Sequence, residues 1–139
     1  MYKVKKNMLV ADNSELSRIV LKEIFGDDFC VFEAKDGAEA LGVLSRIRID
    51  VALIDTSEET LDAFGFMKEL KAENLFGTFP VIALKFAPDE RDTDLCTIEF
   101  GADDVLLKPC PNIIARKRVE NVMDAFEYRK QKKLIENPQ

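Results

Sequence analysis

The chain has 139 residues, 47% of them hydrophobic and 33% charged, which fits one ordinary globular domain and excludes a disordered polymer. No apolar run approaches the roughly 18 residues needed to span a bilayer, and the basic start Met1–Lys6 precedes no apolar run of signal-peptide length, so a cytoplasmic location is expected. There is no histidine, which removes Ser-His-Asp and Cys-His nucleophile systems and His-ligated metals; the net charge of −6 disfavours direct nucleic-acid binding.

The elements follow in chain order. Asn7–Ala11 is a compact apolar run ending at Asp12, and Ser14 offers an N-cap. Leu16, Ile19, Val20, Ile24 and Phe25 recur at helical spacing until Gly26. Phe29–Ala34 reads as a second strand and Gly37–Ile47 as a second helix, with Ala38, Leu41 and Leu44 on one face. Val51–Ile54 is a third strand ending at Asp55, and Leu61–Leu75 is helical. Pro80 opens a fourth strand, Val81–Leu84, which ends at Lys85. Residues 89–100 read as a helix closed by Gly101, and Val105–Leu107 as a fifth strand followed by Lys108 and Pro109.

Asn112–Glu136 reads as one long helix, with Val119, Val122, Met123 and Phe126 spaced for packing on a sheet. Residues 116–139 carry seven basic and four acidic groups, so this tail is +3 and the rest of the chain −9. Residues 1–125 are expected to form the domain and 126–139 a helical extension.

Strands alternating with helices predict an α/β fold, a doubly wound five-stranded parallel sheet. Continuous apolar strands fit a sheet covered on both faces. Cys30, Cys96 and Cys110 show no ligand spacing and are expected to be reduced thiols, at least two of them buried.

In such a sheet the functional crevice lies outside the carboxyl ends of the strands. Asp12, Asp55, Lys85 and Lys108 all fall at that end. Two carboxylates without histidine are oxygen ligands suited to Mg²⁺. A carboxylate can also act as a nucleophile toward a phosphoryl group, with a cation and a lysine ammonium neutralising charge.

Five pieces in order carry a family resemblance: M-L-V-A-D-N-S-E-L-S-R (8–18), A-K-D-G-A-E-A-L (34–41), D-V-A-L-I-D (50–55), P-V-I-A-L (80–84) and F-G-A-D-D-V-L-L-K-P (100–109). Over roughly residues 6–125 the chain resembles a response-regulator receiver domain of two-component phosphorelays. The resemblance implies a flavodoxin-like receiver fold and a signalling domain rather than a turnover enzyme. It implies Asp55 as phosphoacceptor, Asp12 as direct Mg²⁺ ligand and Ser57 as the donor of a backbone carbonyl to the cation. Lys108 would contact the phosphoryl group, and the Lys108–Pro109 bond would be cis. The implied donor is a histidine kinase or a histidine phosphotransfer protein. The tail stretch R-V-E-N-V-M-D-A-F-E-Y-R-K-Q-K-K resembles the linker after receivers that precede cyclic-di-GMP-related domains; it reads either as a solvated C-terminal extension or as a signalling helix leading to an output domain or pairing with a second copy.

Four positions depart from the family. Ala11 stands where an adjacent carboxylate is usual, and one charge fewer beside a dication is worth on the order of 1–4 kcal/mol at 4 Å. Lys85 replaces a Ser or Thr hydroxyl and brings a second ammonium to Asp55. Phe86 replaces a small residue and narrows access, and Val105 replaces the switching aromatic. The alternative is therefore a pseudo-receiver that makes phosphorylation-independent protein contacts or dimerises. A haloacid-dehalogenase-type phosphohydrolase is disfavoured because Asp55-Thr56-Ser57 lacks the second carboxylate. A flavodoxin-like cofactor carrier is disfavoured because A-D-N-S-E-L lacks glycine.

Overall fold

The computed structural model describes residues 4–56, 63–86 and 101–136. Along the chain these form β1 (Lys6–Ala11), α1 (Glu15–Phe25), β2 (Phe29–Ala34), α2 (Gly37–Arg46), β3 (Val51–Asp55), α3 (Ala63–Ala72), β4 (Val81–Phe86), β5 (Asp104–Lys108) and a C-terminal helix, α4 (Asn112–Glu136). The helix expected at 89–100, with Cys96, lies outside the described residues.

The five strands make one parallel sheet in the order β2-β1-β3-β4-β5. The period-two geometry of a strand divides its side chains between two apolar layers. Leu9, Ala11, Ala52, Ile54, Ala83 and Val105 pack with Ala40 and Val43 of α2 and Phe66, Met67 and Leu70 of α3. Their neighbours Met8, Val10, Leu53, Ile82, Leu84 and Leu106 pack with α1 and α4 on the opposite side. Both faces of the sheet are thus covered, the doubly wound α/β arrangement expected.

Strand order reverses between β1 and β3, so the switch point, where ligands bind in such sheets, lies between their carboxyl ends. Two local bonds set the strands in place there and at the opposite end. The Asp12 N–H donates to the Ala34 carbonyl at 2.9 Å, and the Asn7 N–H donates to Asp50 Oδ2 at 2.7 Å.

Several sequence expectations change in detail. On α1 the buried positions are Leu21, Ile24 and Phe25, whereas Leu16, Ile19 and Val20 face outward, Leu16 being 71% exposed. Both sets have helical spacing, and only packing against the sheet chooses between them. On α2, Ala40 and Val43 are buried, Leu41 and Leu44 flank them, and Ala38 is exposed. Ile47 is the C-cap of that helix rather than part of it.

β4 runs two residues past Leu84 and includes Lys85 and Phe86. Cys30 is exposed because β2 is an edge strand, and Cys110 is half-buried, so the expectation of two buried thiols fails; both are free thiols. The C-terminal helix is continuous over 25 residues and buries Ala115, Val119 and Val122 against the sheet. Among the described residues no helix is long and apolar enough to cross a membrane.

Candidate functional site

Asp12 immediately follows β1, Asp55 ends β3, Lys85 is the penultimate residue of β4 and Lys108 ends β5. All four are buried, at 0%, 5%, 1% and 8% exposure respectively, which is rare for charged side chains unless they are paired. Parallel register brings them to one level: Asp55 lies opposite Leu84, Lys85 opposite Leu107 and Phe86 opposite Lys108. Ser57 lies outside the described residues.

Lys108 is the centre of the site. Its ammonium lies 2.7 Å from Asp12 Oδ2 and 3.7 Å from Asp55 Oδ2. It also donates to Ser17 Oγ at 3.2 Å and sits 4.4 Å from the centre of the Phe86 ring, within reach of a cation–π contact. The Lys108–Pro109 peptide is cis.

Asp12 is held by three groups of α1 and its entry. Its Oδ1 accepts from the Ser14 N–H at 2.9 Å, and its Oδ2 accepts from the Ser17 hydroxyl at 2.6 Å. Its backbone carbonyl accepts from Arg18 Nη1 at 2.6 Å, while Arg18 Nε pairs with Glu33 at 3.2 Å. Ser14 caps the helix, its hydroxyl accepting from the Ser17 N–H at 3.1 Å. Burial by itself would push the Asp12 carboxyl up. The hydrogen bonds from Lys108, Ser17 and Ser14, with the Lys108 charge, outweigh it and hold the carboxyl below the usual carboxylate range.

Two participants were missed in the sequence: Ser17 and Arg18, which bind Asp12. Phe86, expected to narrow access, also covers the Lys108 ammonium. The available signal was Ser17, five residues beyond Asp12 and in the first turn of α1, where a short hydroxyl side chain faces back toward the strand end. Ala11 and Val105 are buried in the apolar layer beside α2 and α3, so a packed valine fills the position where the family places its switching aromatic.

The donor chemistry is compatible with a hard dication, because Asp12 and Asp55 offer only oxygens at adjacent strand ends. No group of three or more acidic or cysteine side chains capable of holding a metal occurs among the described residues. The formal charges of Asp12, Asp55, Lys85 and Lys108 cancel. A dication would therefore compete with Lys108 for Asp12.

The family model described as the response regulator receiver domain matches residues 8–120. The response regulator GtcR of Aneurinibacillus migulanus is 30% identical over 131 residues, covering 90% of this chain and 51% of that protein. The chain spans about half the length of the curated relatives it matches. The signal receiver domain of a signal transduction histidine kinase from Syntrophus aciditrophicus superposes with a TM-score of 0.73 at 27% identity, covering 86% of this chain and 91% of that one. A response regulator receiver modulated diguanylate cyclase from Pelobacter carbinolicus gives 0.70 at 25% identity, with 91% and 98% coverage.

Proposed function

The chain belongs to the response-regulator receiver family of two-component signalling, and from that premise we propose that Asp55 accepts a phosphoryl group from a phosphohistidine. The donor is a histidine kinase or a histidine phosphotransfer protein. The observation that carries this reading is Asp55 itself, a buried carboxylate at the strand end beside the switch point, with the Lys108 ammonium 3.7 Å from its Oδ2.

An Asp55 oxygen attacks phosphorus, the new P–O bond forms, the donor's N–P bond breaks, and the imidazole leaves and takes up a proton from solvent. Lys108 lies within reach of the oxygens that carry the developing charge. Asp12 and Asp55 would hold Mg²⁺, with the Ser57 carbonyl as the family pattern implies, and the ion when bound would neutralise the phosphoryl oxygens. The domain is a signalling module; its own chemistry extends at most to self-phosphorylation from small donors and hydrolysis of its acyl phosphate.

Exposed apolar side chains support a docking role at this end of the molecule. Leu16, Ile19 and Val20 on α1 and Ile113 at the start of α4 are all solvent-facing, beside the strand ends that carry Asp12 and Lys108. We read residues 1–125 as the receiver and 126–139 as a helical extension toward an output domain or a second copy. Tyr128, Leu134 and Ile135 are exposed on that extension. The reading places the domain in the cytoplasm, with no direct nucleic-acid or membrane contact.

Acetyl phosphate with Mg²⁺ tests it by intact mass. The chain should gain one phosphoryl group, and Asp55→Asn should gain none. Absence of the adduct in the wild type, while a known receiver labels alongside, refutes phosphorylation. A pseudo-receiver is the second reading, favoured by the charge balance that Lys85 and Lys108 impose on the two carboxylates.

A further inference from the structure

Nothing in the family pattern assigns a role to Ser17, yet it contacts both members of the buried pair. A serine hydroxyl has one proton to donate and lone pairs that accept. Here the proton goes to Asp12 Oδ2 at 2.6 Å, and a lone pair receives the Lys108 ammonium at 3.2 Å. Lys108 closes the circuit by donating to the same Asp12 Oδ2 at 2.7 Å. The Phe86 ring lies 4.4 Å from that ammonium on another side.

With Oδ1 occupied by the Ser14 N–H, both oxygens of Asp12 already serve protein donors. Oδ2 already accepts from both the Ser17 hydroxyl and the Lys108 ammonium, so a dication taking that oxygen as a ligand must expel the ammonium.

We propose that Ser17 is a positioning residue that, with Phe86, latches Lys108 onto Asp12 Oδ2, so that the resting site carries its own cation and a divalent cation takes that oxygen only by opening the latch. The inference rests on the reading of Asp12 as a cation ligand.

Opening the latch costs the hydrogen bonds that must break. Ser17→Ala removes one acceptor from Lys108 and one donor from Asp12 and leaves the cap intact, since the Ser17 backbone N–H is the group that Ser14 receives. One net hydrogen bond corresponds to about three- to tenfold in an equilibrium constant. Calorimetric titration of the full chain with Mg²⁺ should therefore give that much tighter binding in Ser17→Ala, with Ser17→Thr returning toward the wild-type value. Phe86→Ala should tighten binding in the same direction.

A second measurement needs no metal. Mass-spectrometric acetylation of Lys108 by acetic anhydride without Mg²⁺ should be faster in Ser17→Ala than in wild type, and again restored in Ser17→Thr. Unchanged Lys108 reactivity together with unchanged or weaker Mg²⁺ binding in Ser17→Ala overturns the latch. Faster acetylation with no Mg²⁺ binding in any form upholds the latch and overturns the cation reading of Asp12. Tighter Mg²⁺ binding that Ser17→Thr fails to reverse also counts against it, since the hydroxyl would then not be the cause.

Discussion

Replacing Lys108 with methionine isolates the charge at the centre of the site, because methionine keeps most of the apolar stem and loses the ammonium. The structure sets the expected size. Asp12 is fully buried and its ammonium partner is 2.7 Å away, so Asp12 has no route to water. Removing one partner of a buried pair costs about 3–5 kcal/mol, against about 0–1 kcal/mol for an exposed one. Asp55 and Lys108 keep slight solvent access and Asp12 retains its bonds from Ser14 and Ser17, which favours the lower end, about 3 kcal/mol. For a chain of this size that lowers the melting temperature by roughly 10 °C. Urea unfolding followed by circular dichroism measures it directly. Mg²⁺ should restore part of the loss by taking the freed carboxylates, about 2.7 kcal/mol at a hundredfold excess over its dissociation constant. A loss below about 1 kcal/mol, unaffected by Mg²⁺, would mean that the pair behaves as a solvated surface contact.

The remaining expectations concern the same charges. Asp12 has a folded pKa below its ordinary value of 3.8, so its contribution to stability is complete above that value and is lost as pH falls through the lower folded one. Urea midpoints should therefore separate wild type from Asp12→Asn at neutral pH and converge only below about pH 4; convergence by about pH 5 would contradict the sign. Lys85→Thr removes a buried ammonium from the strand-end residue that follows Leu84, the register partner of Asp55, and should speed acetyl-phosphate labelling or tighten Mg²⁺ by about tenfold. If neither improves, Lys85 does not oppose the dication.

The fold was legible because its signals were redundant. Apolar strands ending in Asp12, Asp55 and Lys108 recur at regular intervals, and each places its polar group at the same end of the sheet. Faces of helices were less legible: Leu16, Ile19 and Val20 have the same spacing as Leu21, Ile24 and Phe25, and burial goes to the second set because α1 packs on β1 and the C-terminal helix through it. Asp12 and Lys108 were legible as site residues but not as partners, since 96 residues separate them and only the sheet order joins their strand ends. Ser17 was barely legible: a serine in the first turn of a helix is commonplace, and its contact with Lys108 exists only once that residue has arrived from β5.

The C-terminal helix has a mechanical consequence. Val122 is its last buried residue among those described, and the helix continues for about 21 Å to Glu136, held along the way by half-buried Phe126 and the part-exposed Arg129–Asp103 ion pair rather than by a buried anchor. A rod clamped at one end multiplies angle into distance. Tilting the clamped half by about 10° would carry the free end through roughly 4 Å, about two thirds of a helical turn. The clamp is formed by Ala115, Val119 and Val122 against the layer that holds Leu106, two residues before Lys108. Small rearrangements at that strand end therefore have a lever through which to act at range.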